Sequence, residues 1–265
     1  MQKPDSPDLP GEDLRINGAG AISDGRYRQV SINGAGAISG GKYRRVNING
    51  AGAISGDVEC ESFTCHGNAS INGSLTAQSC KIFGATDLTG VLQAENLDIR
   101  GEVKIKGQCN TRQLKVEGVL TISEHLTAEE VKLRGSLQVD GDCNAESFTG
   151  EGSFIIGQML NAEKIEVSLH GDCQAREIGG GSIRVTRRKH ILEPIDKLFH
   201  LLINHPHGLT AEVIEGDELY LQSTRAKVVR GKKVYLGSGC DIELVEYSES
   251  CELAEDARVK EQKQG

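Results

Sequence analysis

Eight cysteines and seven histidines are the residues of this 265-residue chain best suited to chemistry, and their spacing limits what they can do. A soft metal site needs thiolates and imidazoles in close pairs, and a disulfide framework needs cysteines that the fold can bring together. No C-x2-C pair occurs, and Cys60 and Cys65 are the nearest two in sequence. His200, His205 and His207 cluster, but no cysteine or carboxylate stands at ligand spacing beside them. General acid–base work needs two carboxylates facing each other across a groove. Asp57, Glu124 and Asp142 stand singly instead. The residues therefore predict no catalytic, cofactor-binding or metal site, and the chain reads as a non-enzyme.

The elements that would have to position such groups are legible as a repeat. Leu14-Arg15-Ile16-Asn17-Gly18-Ala19-Gly20-Ala21-Ile22-Ser23 returns from Val30 to Ser39 and again from Val46 to Ser55, a period of 16. The words then diverge, but the first apolar residue of each unit falls at Val46, Phe63, Cys80, Leu97, Leu114, Val131, Phe148 and Ile165, 17 apart each time. A fixed short period is the mark of a solenoid. Within a unit the apolar residues alternate, as in Leu97-Asp98-Ile99 and Val103-Lys104-Ile105, which is the period of strands rather than helices. Glycines close the first strand (Gly50, Gly67, Gly84, Gly101) and the second (Gly56, Gly73, Gly90), where a positive φ would make the corner. Each unit thus predicts three short strands and three bends, one turn of a parallel β-helix. The narrow tube agrees with 4% aromatic content and no Trp.

The cysteines fall into register with that repeat. Cys80 replaces a first-strand Phe or Leu, Cys65 stands where Ile82 and Ile99 stand, and Cys109 and Cys143 replace third-side Leu or Val. Cys173 fits the third-side column of a coil shortened after Val167. All read as small buried hydrophobes.

The main β-helix is expected over 14–185, behind a polar lead, 1–13. A linker with a short helix follows over 186–208, where Ile195, Leu198, Phe199 and Leu202 share one face behind Pro194. That helix is expected to cap or lid apolar interior. A smaller β section over 209–247 has a new period of 15, Ile214–Leu221 answered by Val229–Leu236, and an acidic polar tail, 248–265, closes the chain.

The net charge is −8, unevenly spread. Residues 14–45 hold six bases against one acid, and residues 241–265 hold eight acids against three bases. These read as two solvated faces or as attraction between neighbouring subunits. The basic stretch has only Tyr27 and Tyr43 to stack on bases, which argues against a nucleic-acid partner. No segment approaches 18 apolar residues, so no direct membrane segment is expected, and the location is read as cytoplasmic, with membrane association only through partners.

The run of Ile-x-Gly coils, the Ser-Gly-Gly-x-Tyr-x-x-Val variant at 39–46 and the Gly-x-Gly-Cys-x-Ile-x-x-Val-Glu-Tyr signature at 237–247 resemble the bactofilins, polymer-forming bacterial cytoskeletal proteins, and are most similar to the longer, two-part members. The resemblance implies a right-handed β-helix that polymerises end to end without nucleotide, with itself or with a sister bactofilin, and positions envelope, shape or motility proteins. The residues reach assembly on their own. A β-helix end exposes unpaired backbone groups over apolar side chains and must be capped or used. Nothing before Leu14 resembles a cap, so Leu14, Ile16, Ile22 and Val30 are the expected polymer interface. The rival readings are a non-polymerising binding module and a β-helix acyltransferase. The acyltransferases use six-residue words and a histidine in a crevice between subunits, and the words here are not hexads.

Overall fold

The computed structural model describes residues 11–22, 27–187 and 208–265, and every element in them is a β-strand. They form two compact units, each a right-handed parallel β-helix. One comprises the chain to Leu114 with Gly118–Ser123, and the other comprises Lys115–Glu117 with Glu124–Gly265. The expected short helix, with Ile195, Leu198, Phe199 and Leu202, lies outside the described residues.

In the first unit, like residues stack in interior columns. One runs Leu14, Val30, Val46, Phe63, Cys80, Leu97, and another runs Ile22, Ile38, Ile54, Ile71, Leu88, Ile105, Ile122. Val30, Val46, Phe63 and Cys80 are fully buried, and each such aliphatic or aromatic side chain contributes about 1.5–3 kcal/mol on leaving water. The change of period from 16 to 17 is absorbed at one point. Ile38 still pairs with Ile54, but a register shift between Ser39 and Gly41 brings Gly41 opposite Val58.

The repeated word Ile-Asn-Gly-Ala-Gly-Ala-Ile-Ser has a packing reason. A Cβ on Gly36 would lie 2.9 Å from Ile32 Cγ2 and 3.1 Å from Ile16 Cδ1, and one on Gly52 would lie 2.9 Å from Ile48 Cδ1. The isoleucines fill the space that those glycines leave. Later coils put Ala69, Thr86, Val103 and Leu120 in that column.

Thr86 is the polar exception in it, 2% exposed, with its hydroxyl unpartnered apart from a loose approach to the Cys65 thiol. A buried hydroxyl without a bond is destabilising, and valine has the same shape. Thr86→Val is expected to stabilise the unit by about 1 kcal/mol, read as a rise in denaturation midpoint with an unchanged slope.

The corner glycines differ from the sequence-based expectation. Gly18 and Gly56 do have positive φ, at 116° and 105°. The row Gly50, Gly67, Gly84, Gly101 does not. Its members are fixed by approach to the coil before, because a Cβ on Gly67, Gly84 or Gly101 would lie 1.8–1.9 Å from the carbonyl oxygen of the glycine 17 residues earlier.

In the second unit the column Val131, Phe148, Ile165, Ile183, Leu219, Val234, Cys251 runs through both repeat periods. Strand Cys173–Arg187 pairs with Leu209–Leu221, and the expected 15-residue match of Ile214–Leu221 to Val229–Leu236 is the observed register. Strand structure continues through the stretch expected to be a polar tail, as Asp241–Leu253 and Arg258–Gln264. Cys173 follows Leu137 and Phe154 and precedes Leu209, rather than joining the third-side column Cys143, Leu160, Ile178. The coil after Val167 is therefore not shortened, and Ile178 holds the place expected for Cys173.

Candidate assembly surfaces

The first coil of the first unit consists of strands Glu12–Ile16 and Ala19–Ile22. Among the described residues they pair on one side only, with Tyr27–Ile32 and with the start of Ala35–Ile48. Their outer backbone edges are open, a template for another strand. Leu14 and Ile22 are half-buried there, and Ile16, 6% exposed, reaches inward towards Gly36. Val30 sits one coil deeper, between Leu14 and Val46, and is fully covered. It supports the end rather than forming its face. The same end carries a column of side-chain amides that sequence reasoning missed: Asn49 donates to Asn33 and Asn33 to Asn17, each at 2.8 Å. Its signal was the asparagine in each of the three copies of the word.

The charge of this region is largely spent within the unit. Arg28 pairs with Asp13 at 3.2 Å, Lys42 with Glu59 at 2.6 Å and Arg44 with Glu61 at 3.2 Å. Such exposed pairs add little stability, but they remove most of the positive field expected over 14–45.

The second unit ends differently. Strand Arg258–Gln264 covers Asp241–Tyr247 and stops, so the rest of Asp241–Leu253 has an open edge among the described residues. There Cys251 is half-buried and Leu253 is 39% exposed. The covering strand is exposed and charged (Arg258, Lys260, Glu261, Lys263), which protects an edge from pairing.

Two of the three carboxylates considered for acid–base work, Asp57 and Asp142, serve the backbone instead. Asp57 Oδ1 accepts the Ser74 N–H at 2.7 Å, and Ser74 Oγ accepts that of Val91 at 3.2 Å. In the second unit His125 Nδ1 accepts the Asp142 N–H at 3.0 Å, and Asp142 Oδ1 accepts that of Met159 at 3.2 Å. Each closes a corner where the ladder would otherwise leave an N–H unpaired.

All eight thiols are unbridged, and only Cys251 is not buried. Burial pushes Cys60 and Cys109 up to about 12 and Cys173 up to about 11, from an ordinary 9.0, and raises Cys80 well above that ordinary value. Thiolate is the reactive form. Cys251 is therefore expected to be the one thiol that an aromatic disulfide reagent labels in the native protein near pH 8, with the rest appearing on denaturation. Because the folded state keeps these protons, their contribution to stability is intact below about pH 9 and declines as pH rises towards 12.

No helix among the described residues is long and apolar enough to cross a membrane. Residues 11–117 match the family model described as Bactofilin, polymer-forming cytoskeletal. Two curated relatives are the uncharacterized Bacillus subtilis (strain 168) proteins YhbF and YhbE. YhbF is 39% identical over 92 residues, 35% of this chain and 35% of the relative. YhbE is 49% identical over 78 residues, 29% of this chain and 30% of the relative. The match thus spans about a third of each relative's length. No solved structure matches the chain significantly. The matched span coincides closely with the unit that carries the open first coil, so residues 11–117 are a bactofilin domain, of the family described as polymer-forming cytoskeletal.

Proposed function

We propose that this chain is a self-assembling scaffold whose filaments form through coil ends, without nucleotide, and hold envelope, shape or motility proteins in place in the cytoplasm. The observation that carries this reading is the open edge of Glu12–Ile16 and Ala19–Ile22, with Leu14 and Ile22 half-buried on it, inside the family-matched segment. Backbone pairing and apolar contact at such an edge require no bound energy source. Two relatives in one organism fit a sister chain as co-polymer.

Pairing of the local charges weakens the case for a basic start meeting an acidic tail. Like ends then meet about two-fold axes, each surface being its own complement, and the filament is non-polar. In that arrangement the two last coils face each other with Cys251 at the contact. A short bis-maleimide added to pelleted polymer is expected to yield a covalent dimer that Cys251→Ser abolishes. Full chain that stays in the supernatant at every salt concentration would overturn the scaffold reading. Pelleting without a Cys251 cross-link would replace like-to-like contact by a head-to-tail one.

A further inference from the structure

The second unit carries on its side a trough of about 980 Å³, at the upper end of the range for ligand clefts, about 300–1,000 Å³. Its floor is one register row, Gly180, Gly216, Gly231, ended by Tyr247. The floor cannot acquire side chains. A Cβ would lie 2.1 Å from Ala162 O at Gly180 and 2.3 Å from Gly180 O at Gly216. The trough is therefore a fixed feature of the coil rather than a gap between mobile loops.

Its walls are rows of paired charges. On one side Arg230 donates from Nε to Glu246 at 2.8 Å and from Nη1 to Glu215 at 2.9 Å. On the other, Lys232 pairs with Asp217 at 2.9 Å. Met159 and Val213 add apolar surface.

We infer that this trough binds a short, uncharged oligosaccharide laid across the coils. Three observations select that ligand class. The floor strands Leu209–Leu221 and Thr224–Leu236 are paired on both sides, and the last strand beside them, Arg258–Gln264, has a free edge that is exposed and charged, a poor template for an extended peptide. The lining side chains hold four carboxylates against three cations, so a polyanion gains little. What remains is a dense set of donors and acceptors that hold one another in place, matched to hydroxyls that both donate and accept, with a tyrosine ring at the end of the row for the apolar face of a sugar. Because the pairs are already ordered, binding does not have to immobilise them. This inference does not rest on the assembly reading: Glu246 and Tyr247 lie on the covered part of Asp241–Leu253, away from the open edge at Cys251 and Leu253.

The test is calorimetric and ligand-observed NMR titration of the full chain with chitotetraose, cellotetraose and maltotetraose up to about 5 mM, a range that reaches Kd values near 1 mM. At least one is expected to bind, and both Tyr247→Ala and the double variant Asp217→Asn, Lys232→Met are expected to weaken it about tenfold or more, with strand circular dichroism and melting unchanged. No binding of any of the three, or binding indifferent to both variants, overturns the assignment. Tighter binding of polyphosphate or of an unstructured peptide at the same residues would also overturn it. Loss of polymer with retained sugar binding would sink the scaffold reading alone.

Discussion

Lysine at both Leu14 and Ile16 is expected to lower the pelleted fraction of this protein by at least about tenfold, the equivalent of 1.4 kcal/mol at each contact, while the coils behind the end stay folded. Leu14 is half-buried on an edge that is paired on one side only, so a charge there meets solvent in the free chain and an apolar partner in the polymer. In a like-to-like contact the two lysines also face their own copies, and that repulsion adds to the lost burial. Ile16 is more enclosed, so Leu14→Lys alone is the control that separates assembly from folding. Val30→Lys is the opposite control. Val30 is fully buried one coil in, and an unpaired ammonium there should unfold the unit rather than merely disperse it. Soluble, strand-rich Leu14→Lys protein that still pellets like wild type would move the interface away from the first coil.

Gly101→Ala is expected to be the most damaging single methyl in the first unit. The added Cβ would lie 1.8 Å from the carbonyl oxygen of Gly84, and the obstructing atoms are backbone at a corner between two strands, Leu75–Ile82 and Ala85–Leu88, each paired on both sides. The clash cannot be relieved by turning a side chain. Relief requires the two coils to separate and lose ladder bonds on either side of the corner, so a loss above about 3 kcal/mol is expected, in the tail of the distribution for point mutants. Urea denaturation of Gly101→Ala beside the exposed control Lys104→Ala measures it. A midpoint within error of wild type would mean that the corner spacing is softer than the coil geometry indicates.

That glycine row shows where sequence reading succeeds and where its physics is incomplete. The period of 17 located each corner of that row correctly, because alternation of apolar residues over so many units has one structural solution. It attributed the corner glycines to positive φ, which Gly18 and Gly56 have and Gly84 and Gly101 do not. The distance between coils, rather than the local dihedral, selects glycine there, and that distance is a property of two coils that no single one reveals. The displaced position of Cys173 has a related cause. Its column is fixed by where the preceding corner falls, and Leu169 to Asp172 contain too few apolar residues to mark it.

The open first coil was legible because it is nearly a copy of the next two, so Leu14, Ile16 and Ile22 could be placed by register alone. That Val30 lies behind the face rather than on it follows from the pairing of Leu14 with Val30. The basic character expected for 14–45 required knowing the neighbours 15 to 17 residues away. Asp13, Glu59 and Glu61 pair three of its six bases across the ladder. The trough had a faint trace in the Gly-Asp and Gly-Lys pairs at 216–217 and 231–232, but its concavity depends on how successive coils bend, which periodicity does not encode.

Negative-stain electron microscopy of the full chain, purified without nucleotide and imaged at low and high salt, tests self-assembly most directly. Filaments or ribbons are predicted at both salt concentrations, because an apolar, backbone-paired contact survives screening that would dissolve an interface held by charge. Uniform single particles at every concentration and salt would contradict it.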